Sequence, residues 1–597
     1  MRPPAAPVDL DRQAELSLLN KYCGAALRGR PFLSKSFLRR NKHKLKNPHK
    51  PLALLLSLLL VASTAFGRMQ SAAPASTRAI TSAEQKLVDN LSLATIKETV
   101  NALAADDMQG RGTAQPGGDK AAAYLADRFA KLGLKPLGDN NAYLQSIKFK
   151  ETQFLPQTAF TAGDQSLKFG TDYFVTPPLS GDKNINAKMV FVGYGTSFPF
   201  LQRNDLGDAD LRGKIVVLRE GPPPEIGKAQ WKKAQAQFNV LRGLITRGAA
   251  AIVTVGQDTE TLTFAELADY LTRRQVEPEG EQEMPDFLPP FIGISEPAAE
   301  KLFAASGLTR DEAFTKAKGN DFKPIDLKQN GTIVVKLKKA KGAGSNVVGL
   351  LEGSDPKLKS EAIVFSAHYD AYGLSADNRI YHGAADNALG VAEMLSIAEV
   401  MTRAETKPRR SMIFLAVTGE EYGGYGSDYW VNNPTWKIKQ VAADLNLDGM
   451  GTEVYGPVKV LVGYGSEHSS LGSLLNEVAA ATGLKVIPDP MPEEKSFYRS
   501  DHYFFVKKGV PGIMILGAPE GSVDSWTDRL KKWEKTDYHQ PTDIVRPGWD
   551  WTGPRTVASV MLLMGWRAAN DEAMPAWVPS SVFNRERGTD KPGPPEP

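Results

Sequence analysis

A chain of 597 residues with 42% hydrophobic and 23% charged residues is too long for one small core, so two folded units with flanking segments are expected. Its net charge of +4 gives no hint of nucleic acid: residues 1–50 carry twelve Lys or Arg against Asp9, Asp11 and Glu15, a net +9, which leaves −5 by subtraction for everything after them. The single cysteine, Cys23, lies in that basic leader, so the body offers no disulfide and no thiolate, and any zinc there has to be held by His, Asp and Glu.

Residues 1–67 read as a basic leader followed by an export signal. The uncharged apolar run 51–67 falls short of the ~20 residues that a comfortable bilayer span needs. Its basic flank and the small residues Ala65 and Gly67 fit a signal peptide cut near Gly67. Left uncleaved, it would anchor the chain with its basic side inward. An exported body, periplasmic or extracellular, is the expectation. A Ser/Ala/Pro-rich linker covers 68–84.

Residues 85–160 form the first part of the main domain. Helices are predicted over 93–104 and 117–132, the second with Ala122, Leu125, Phe129 and Leu132 on one face and Gly133 as its stop. Gly110-Arg111-Gly112 between them reads as a turn. Residues 161–340 change character, with short strands at 189–193, 214–218 and 250–255 around an amphipathic helix ending near Arg247. That unit contains no His, so no catalytic role is expected of it.

From 341 to 572 the main domain resumes. Apolar runs at 362–365, 412–417, 458–462 and 512–516 alternate with helical stretches at 390–401, 471–482 and 556–569. This alternation predicts an α/β fold with a mostly parallel central sheet and helices on both faces, and in such sheets sites lie at the carboxyl ends of strands. Residues 573–597, Pro-rich and charged, read as a disordered tail.

All five His of the body, His368, His382, His468, His502 and His539, fall in this last part. His368 ends one apolar run, and Asp370 two residues on could orient its ring. Asp386-Asn387 follows a glycine turn and precedes a helix start, which either residue could cap. Glu420-Glu421 follows the run 412–417, where a buried strand should stop. Asp448 follows Leu445-Asn446-Leu447, and His539 lies in a loop. Each alone has a plainer reading as a turn, cap or surface group. Jointly, His, Asp, Glu-Glu, Asp and His in one α/β unit fit a site for two metals, with about six ligand positions and one shared bridge.

In this order, His368-x-Asp370, Asp386-Asn387-Ala388-Leu389-Gly390, Glu420-Glu421, Asn446-Leu447-Asp448 and Tyr538-His539 resemble the motifs of the co-catalytic zinc peptidases that include bacterial leucine aminopeptidases and glutamate carboxypeptidase II, over about residues 85–570. Many members carry an inserted protease-associated domain, and Val190-Phe191-Val192-Gly193-Tyr194-Gly195 with Leu211-Arg212-Gly213-Lys214-Ile215-Val216 is similar to its opening. The resemblance implies two Zn2+ ions bridged by Asp386, with His368 and Asp448 completing one site and Glu421 and His539 the other. It further implies a bridging hydroxide, Glu420 as general base, Tyr538 as a hydrogen-bond donor to the developing oxyanion, and a cis peptide at Asp386-Asn387. Members often have His where this chain has Ala371, so nothing is assigned there.

Phe497-Tyr498-Arg499-Ser500-Asp501-His502 also resembles a family segment near the cleft. With five protein ligands already filling the metal sites, Asp501 and His502 read as structural or pocket-lining, and His382 as a turn residue. The function implied is an exported aminopeptidase acting on peptides. A carboxypeptidase or other amidohydrolase of the same family, and a non-catalytic peptide-binding ectodomain, are the alternatives.

Overall fold

The computed structural model describes residues 78–590, apart from 178, 199–201, 228, 232, 234–239, 257–262, 281–284, 376–377, 450, 452, 520 and 522. The leader, the export signal and most of the linker therefore lie outside the described residues. The described chain opens with α1 (Ser82–Asp89), whose start is written in Thr81-x-x-Glu84: each side chain accepts from the other residue's backbone amide. Ser92 caps α2 (Leu93–Leu103), and α3 (Pro116–Lys131) has Pro in its first turn and Gly133, at φ +76°, just past its end.

A ten-stranded sheet organises the large unit. Its nine longer strands are β1 (Leu144–Phe154), β2 (Gln275–Pro278), β3 (Leu337–Leu351), β4 (Ala362–His368), β5 (Ser411–Val417), β6 (Val441–Asn446), β7 (Val458–Tyr464), β8 (Lys485–Ile487) and β9 (Gly512–Pro519). They run in the order β2-β1-β3-β5-β4-β6-β9-β7-β8, and Lys135–Pro136 also pairs with β3. The neighbours β5, β4, β6 and β9 are parallel and form the centre, while β1, β2 and β3 add antiparallel strands along one side and β7 runs against β9 on the other.

The central strands are apolar along their whole length because both faces are covered. Ile363, Phe365, Met412 and Phe414 face the core shared with α2, α5 (Gly390–Arg403) and α7 (Thr552–Asn570), α6 (Ser470–Thr482) contributing at its edge. The alternate residues Val364, Ile413 and Leu415 pack on the other face with Trp430, Val431, Phe504 and Phe505. Phe365 and Phe414 are register partners and stack with centroids 5.4 Å apart.

A second sheet, eight-stranded, is built within residues 159–335. Lys183–Phe191, Ile215–Arg219 and Ala251–Gly256 lie parallel at its centre, with Val190 opposite Val216 and Val216 opposite Ile252. This inserted unit has hydrophobic cores of its own, but it is not closed on itself. After the inserted helix α4 (Phe264–Thr272) the chain crosses to the large sheet, where β2 pairs antiparallel with β1, Val276 opposite Glu151. The boundaries 161–340 thus divide the sequence more cleanly than they divide the molecule.

The C-terminal segment corrects an expectation. Residues 573–590 are packed rather than disordered: Phe583 is 1% exposed among Phe497, Tyr498, Tyr503 and Trp577. Arg587 donates to the carbonyls of Val441 and Ala442. One anchoring aromatic outweighs the Pro and charge content that marked the segment as a tail. Among the described residues, no helix is long and apolar enough to cross a membrane.

Candidate metal centre

Strand register brings the candidate ligands together. His368 is the last residue of β4, opposite Val417 of β5, and Ser366 lies opposite Asn446 of β6. β4 and β5 therefore end level, and β6 stops two residues earlier. Glu420 and Glu421 follow β5 across Gly419, whose φ of +74° gives the sharp reversal, and Asp448 follows β6 by two residues. Two loops close the group. Asp386 sits between two imidazoles, Oδ1 3.2 Å from His368 Nε2 and Oδ2 3.3 Å from His539 Nε2. Asp448 Oδ1 lies 3.3 Å from His368 Nε2, and Glu421 Oε2 lies 3.0 Å from His539 Nε2. Glu420 stands slightly apart, 3.9 Å from His368 Nε2.

The loop carrying Asp386 is clamped from below. Arg111, fully buried, donates to the carbonyls of Tyr369 (2.6 Å), Leu103 (2.7 Å), His382 (2.5 Å) and Gly383 (2.7 Å). Asp543 accepts from the amides of Ala385 (2.9 Å) and Asp386 (3.0 Å). Gly383 has φ +56°, and a Cβ there would lie 2.4 Å from the Asp386 carbonyl and 2.8 Å from the Arg111 guanidinium. The peptide Asp386-Asn387 is cis, as the resemblance implies. The capping role open to either residue falls to Asn387: its Oδ1 accepts from Gly390 N at 2.9 Å and from Gly449 N at 3.0 Å, while its Nδ2 donates to Leu447 O.

Asp370 acts on His368 mainly through its backbone: His368 Nδ1 is 3.2 Å from the Asp370 carbonyl and 3.8 Å from its carboxylate. The carboxylate instead takes the amide of Glu420 and the hydroxyl of Thr113. Burial lifts Asp370 to about 6, the His368 charge opposing it. Burial also lifts Glu420 well above the usual carboxylate range, with Asp448, Asp501 and Glu421 adding to it and His368 opposing. At His368 burial works against the charged form, but Asp448, Glu420 and Asp386 prevail and raise it well above the ordinary value. His539 is raised to about 9 in the same way, Glu421 and Asp386 outweighing burial.

This donor set fits cations. His368, Asp386 and Asp448 make one group and Asp386, Glu421 and His539 another, the ligand atoms of each within 4.8 Å of one another and Asp386 common to both. Glu421 Oε2 is buried, with the His539 imidazole beside it at 3.0 Å. A site that draws protons onto both of its imidazoles is one in which divalent cations would satisfy the converging carboxylates. Imidazole and carboxylate, without thiolate, are ligands zinc accepts.

Tyr538 stacks on His539 with centroids 3.6 Å apart, and its hydroxyl lies 3.4 Å from Arg499 Nη2. The other candidates stay outside the ligand groups. His382 pairs with Asp106, His468 packs on Phe497 and Phe583, and Asp501 accepts from the Ser427 hydroxyl. His502 packs on Phe497, and burial drives its pKa down to about 3, a backbone hydrogen bond with Phe497 opposing. Sequence reasoning passed over Arg111 and Asp543. The only signal was a buried-type Arg between two glycines, and a carboxylate four residues after His539.

Residues 346–564 match the model of Peptidase family M28. The fold is similar to that of an aminopeptidase from Aneurinibacillus sp. strain AM-1, with a TM-score of 0.54 and 18% identity over 82% of this chain and 97% of that one. It is also similar to a zinc aminopeptidase from Bacillus subtilis, with a TM-score of 0.50 and 17% identity over 81% and 96% of the two chains. In sequence, 107 residues are 36% identical to a vacuolar membrane protease of Candida dubliniensis, 18% of this chain and 10% of that protein. The matched stretch thus spans about a tenth of the length of such curated relatives.

Proposed function

From the premise that residues 346–564 belong to Peptidase family M28, we propose that the protein is an exported, zinc-dependent aminopeptidase that removes N-terminal residues from peptides. The observation that carries this reading is the shared carboxylate. Asp386 stands between two imidazoles, each with one further carboxylate, and Glu420 is beside them but needed by neither set.

His368, Asp386 and Asp448 would hold one zinc ion, and Asp386, Glu421 and His539 the second. When bound, the ions would supply Lewis-acid polarisation of the scissile carbonyl and acidify the attacking water. Glu420 then takes a proton from that water as its oxygen bonds to the carbonyl carbon. It returns the proton to the amine nitrogen as the C–N bond breaks. The Glu420 amide on Asp370 Oδ1, at 3.2 Å, fixes the backbone from which this carboxylate works. Burial raises the Tyr538 phenol well above its ordinary pKa, Arg499 opposing, so it keeps its proton at neutral pH and can offer a hydrogen bond to the developing oxyanion.

Export is supported by the basic leader and the apolar run 51–67. The chain order of residues 161–340, an insert between two halves of the catalytic unit, is consistent with a protease-associated domain. The test is zinc analysis of purified protein together with amino-acid p-nitroanilides and N-blocked peptides. Cleavage confined to free-amine substrates and lost on chelation is the expected result. Removal of C-terminal residues from N-blocked peptides would make it a carboxypeptidase, and tight peptide binding without cleavage a binding ectodomain.

A further inference from the structure

The inserted unit has no His, yet the segment leaving it reaches the metal-ligand loop. Arg273, the residue after α4, donates from Nη2 to the backbone carbonyl of His539 at 2.8 Å. The same guanidinium lies 4.5 Å from the ring centroids of both Tyr372 and Tyr381. Tyr372 in turn places its hydroxyl 3.1 Å from His539 Nδ1 and its ring edge-on to the imidazole at 4.9 Å. Asp269, one helical turn earlier, pairs with Arg273 and holds it from behind, leaving the Arg273 side chain 9% exposed.

His539 needs such support. Its φ of +58° is in the left-handed region, which a residue with a Cβ keeps only when its surroundings impose it. Two groups determine where Nε2 points: the carbonyl that fixes the backbone and the Nδ1 that fixes the ring. Arg273 holds the first directly and the second through Tyr372. The segment itself is docked independently of Arg273, by the pairing of β2 with β1 and by Arg274, which donates to Thr113 O at 2.6 Å and lies 3.1 Å from Glu151.

We propose that Arg273 is a positioning residue for the metal centre, and that the inserted unit thereby completes one of its two sites. The inference rests on the ligand role of His539 proposed above. Asp386 is common to both ligand groups but His539 belongs to one, so the effect is asymmetric. Partners behind a metal-bound imidazole typically change metal affinity by roughly ten- to a hundredfold when removed.

The full chain, stripped by chelation, is titrated with Zn2+ against a chromophoric competing chelator, as wild type, Arg273→Met, Arg273→Lys and Tyr372→Phe. Thermal unfolding of each metal-free protein is measured alongside. In Arg273→Met the first zinc binds as in wild type and the second roughly ten- to a hundredfold more weakly. Arg273→Lys, which keeps a donor for the His539 carbonyl, recovers part of the loss, and Tyr372→Phe weakens the same step. Wild-type affinity for both ions in Arg273→Met overturns the inference. So does loss of both ions together with a fall in metal-free unfolding temperature, which marks a merely structural residue. Hydrolysis of p-nitroanilides in the same samples separates the two claims: an asymmetric loss of zinc in Arg273→Met, with no hydrolysis even by wild type, overturns the peptidase reading and leaves the role of Arg273 standing.

Discussion

Replacing Arg111 by Met removes four hydrogen bonds while nearly conserving volume. The carbonyls of Leu103, Tyr369, His382 and Gly383 are left without their donor in a region closed to solvent. A buried acceptor left unsatisfied costs about 1–3 kcal/mol, so the four together set a ceiling of about 12 kcal/mol that water entry and local relaxation reduce. The charge is itself held at a cost: burial brings the Arg111 pKa down to about 10 from 12.5, with Asp543, Asp370, Asp386 and Glu421 opposing. Removing it returns ~3 kcal/mol. A net loss of about 2–6 kcal/mol is expected, a fall of roughly 3–10 °C in the metal-free unfolding midpoint of the large unit. Because the clamped loop carries Asp386, zinc affinity should fall at both sites. Differential scanning fluorimetry and zinc titration measure the two effects. An Arg111→Met protein that melts within about 1 °C of wild type and binds two zinc ions as tightly would refute the clamp.

The two adjacent glutamates should separate cleanly. Glu420→Gln is expected to retain two zinc ions while losing about 10²–10⁴-fold in kcat, whereas Glu421→Gln loses affinity at the site it shares with His539; full activity in the first variant would sink its assignment as base. Asp386→Ala should bind neither ion tightly, measurable by metal analysis after gel filtration, and retention of one equivalent would show that Asp386 serves a single site. Far from the site, Arg567 Nε bonds Glu84 Oε1 at 2.7 Å, both side chains being at most 5% exposed. Burial opposes the Glu84 charge, but Arg567 and Thr81 hold its pKa below the ordinary 4.5. That stabilisation is present above the unfolded-state value and lost as pH falls through the folded one. Glu84→Gln should therefore cost about 3 kcal/mol at pH 7, and the difference from wild type should shrink below about pH 4.5 in urea melts. A gap independent of pH would contradict it.

Much of the large unit was legible because burial on both faces writes strands as uninterrupted apolar runs, as at 362–365 and 412–417, and Gly133 marks a helix end by local chemistry. β1 and β3 were not. Leu144–Phe154 alternates apolar residues with Lys, Gln and Glu, and Leu337–Leu351 opens with lysines and glycines, so neither resembles a central strand until the two pair over eleven positions. The candidate site could be read where its residues follow strand ends, as His368, Glu420, Glu421 and Asp448 do. It could not be read where function depends on carbonyls distant in sequence. Arg111 meets its partners at Tyr369, His382 and Gly383, and Arg273 meets His539, across separations that no local pattern encodes. The insert looked inert because the residues by which it touches the site are arginines rather than acids or histidines.

Of the feature formed by β2 and β1, there remains what it shields. β1 runs for eleven residues next to the edge of the sheet, and β2 covers Phe149–Thr152. Exposed, those amides and carbonyls would form a template for a strand of another molecule. The covering strand is only four residues long and ends in Pro278, which has no amide to offer a newcomer. Excising the insert would thus strip the large sheet of its cap against edge-to-edge association, and the large unit expressed alone should tend to aggregate before it ever loses its fold.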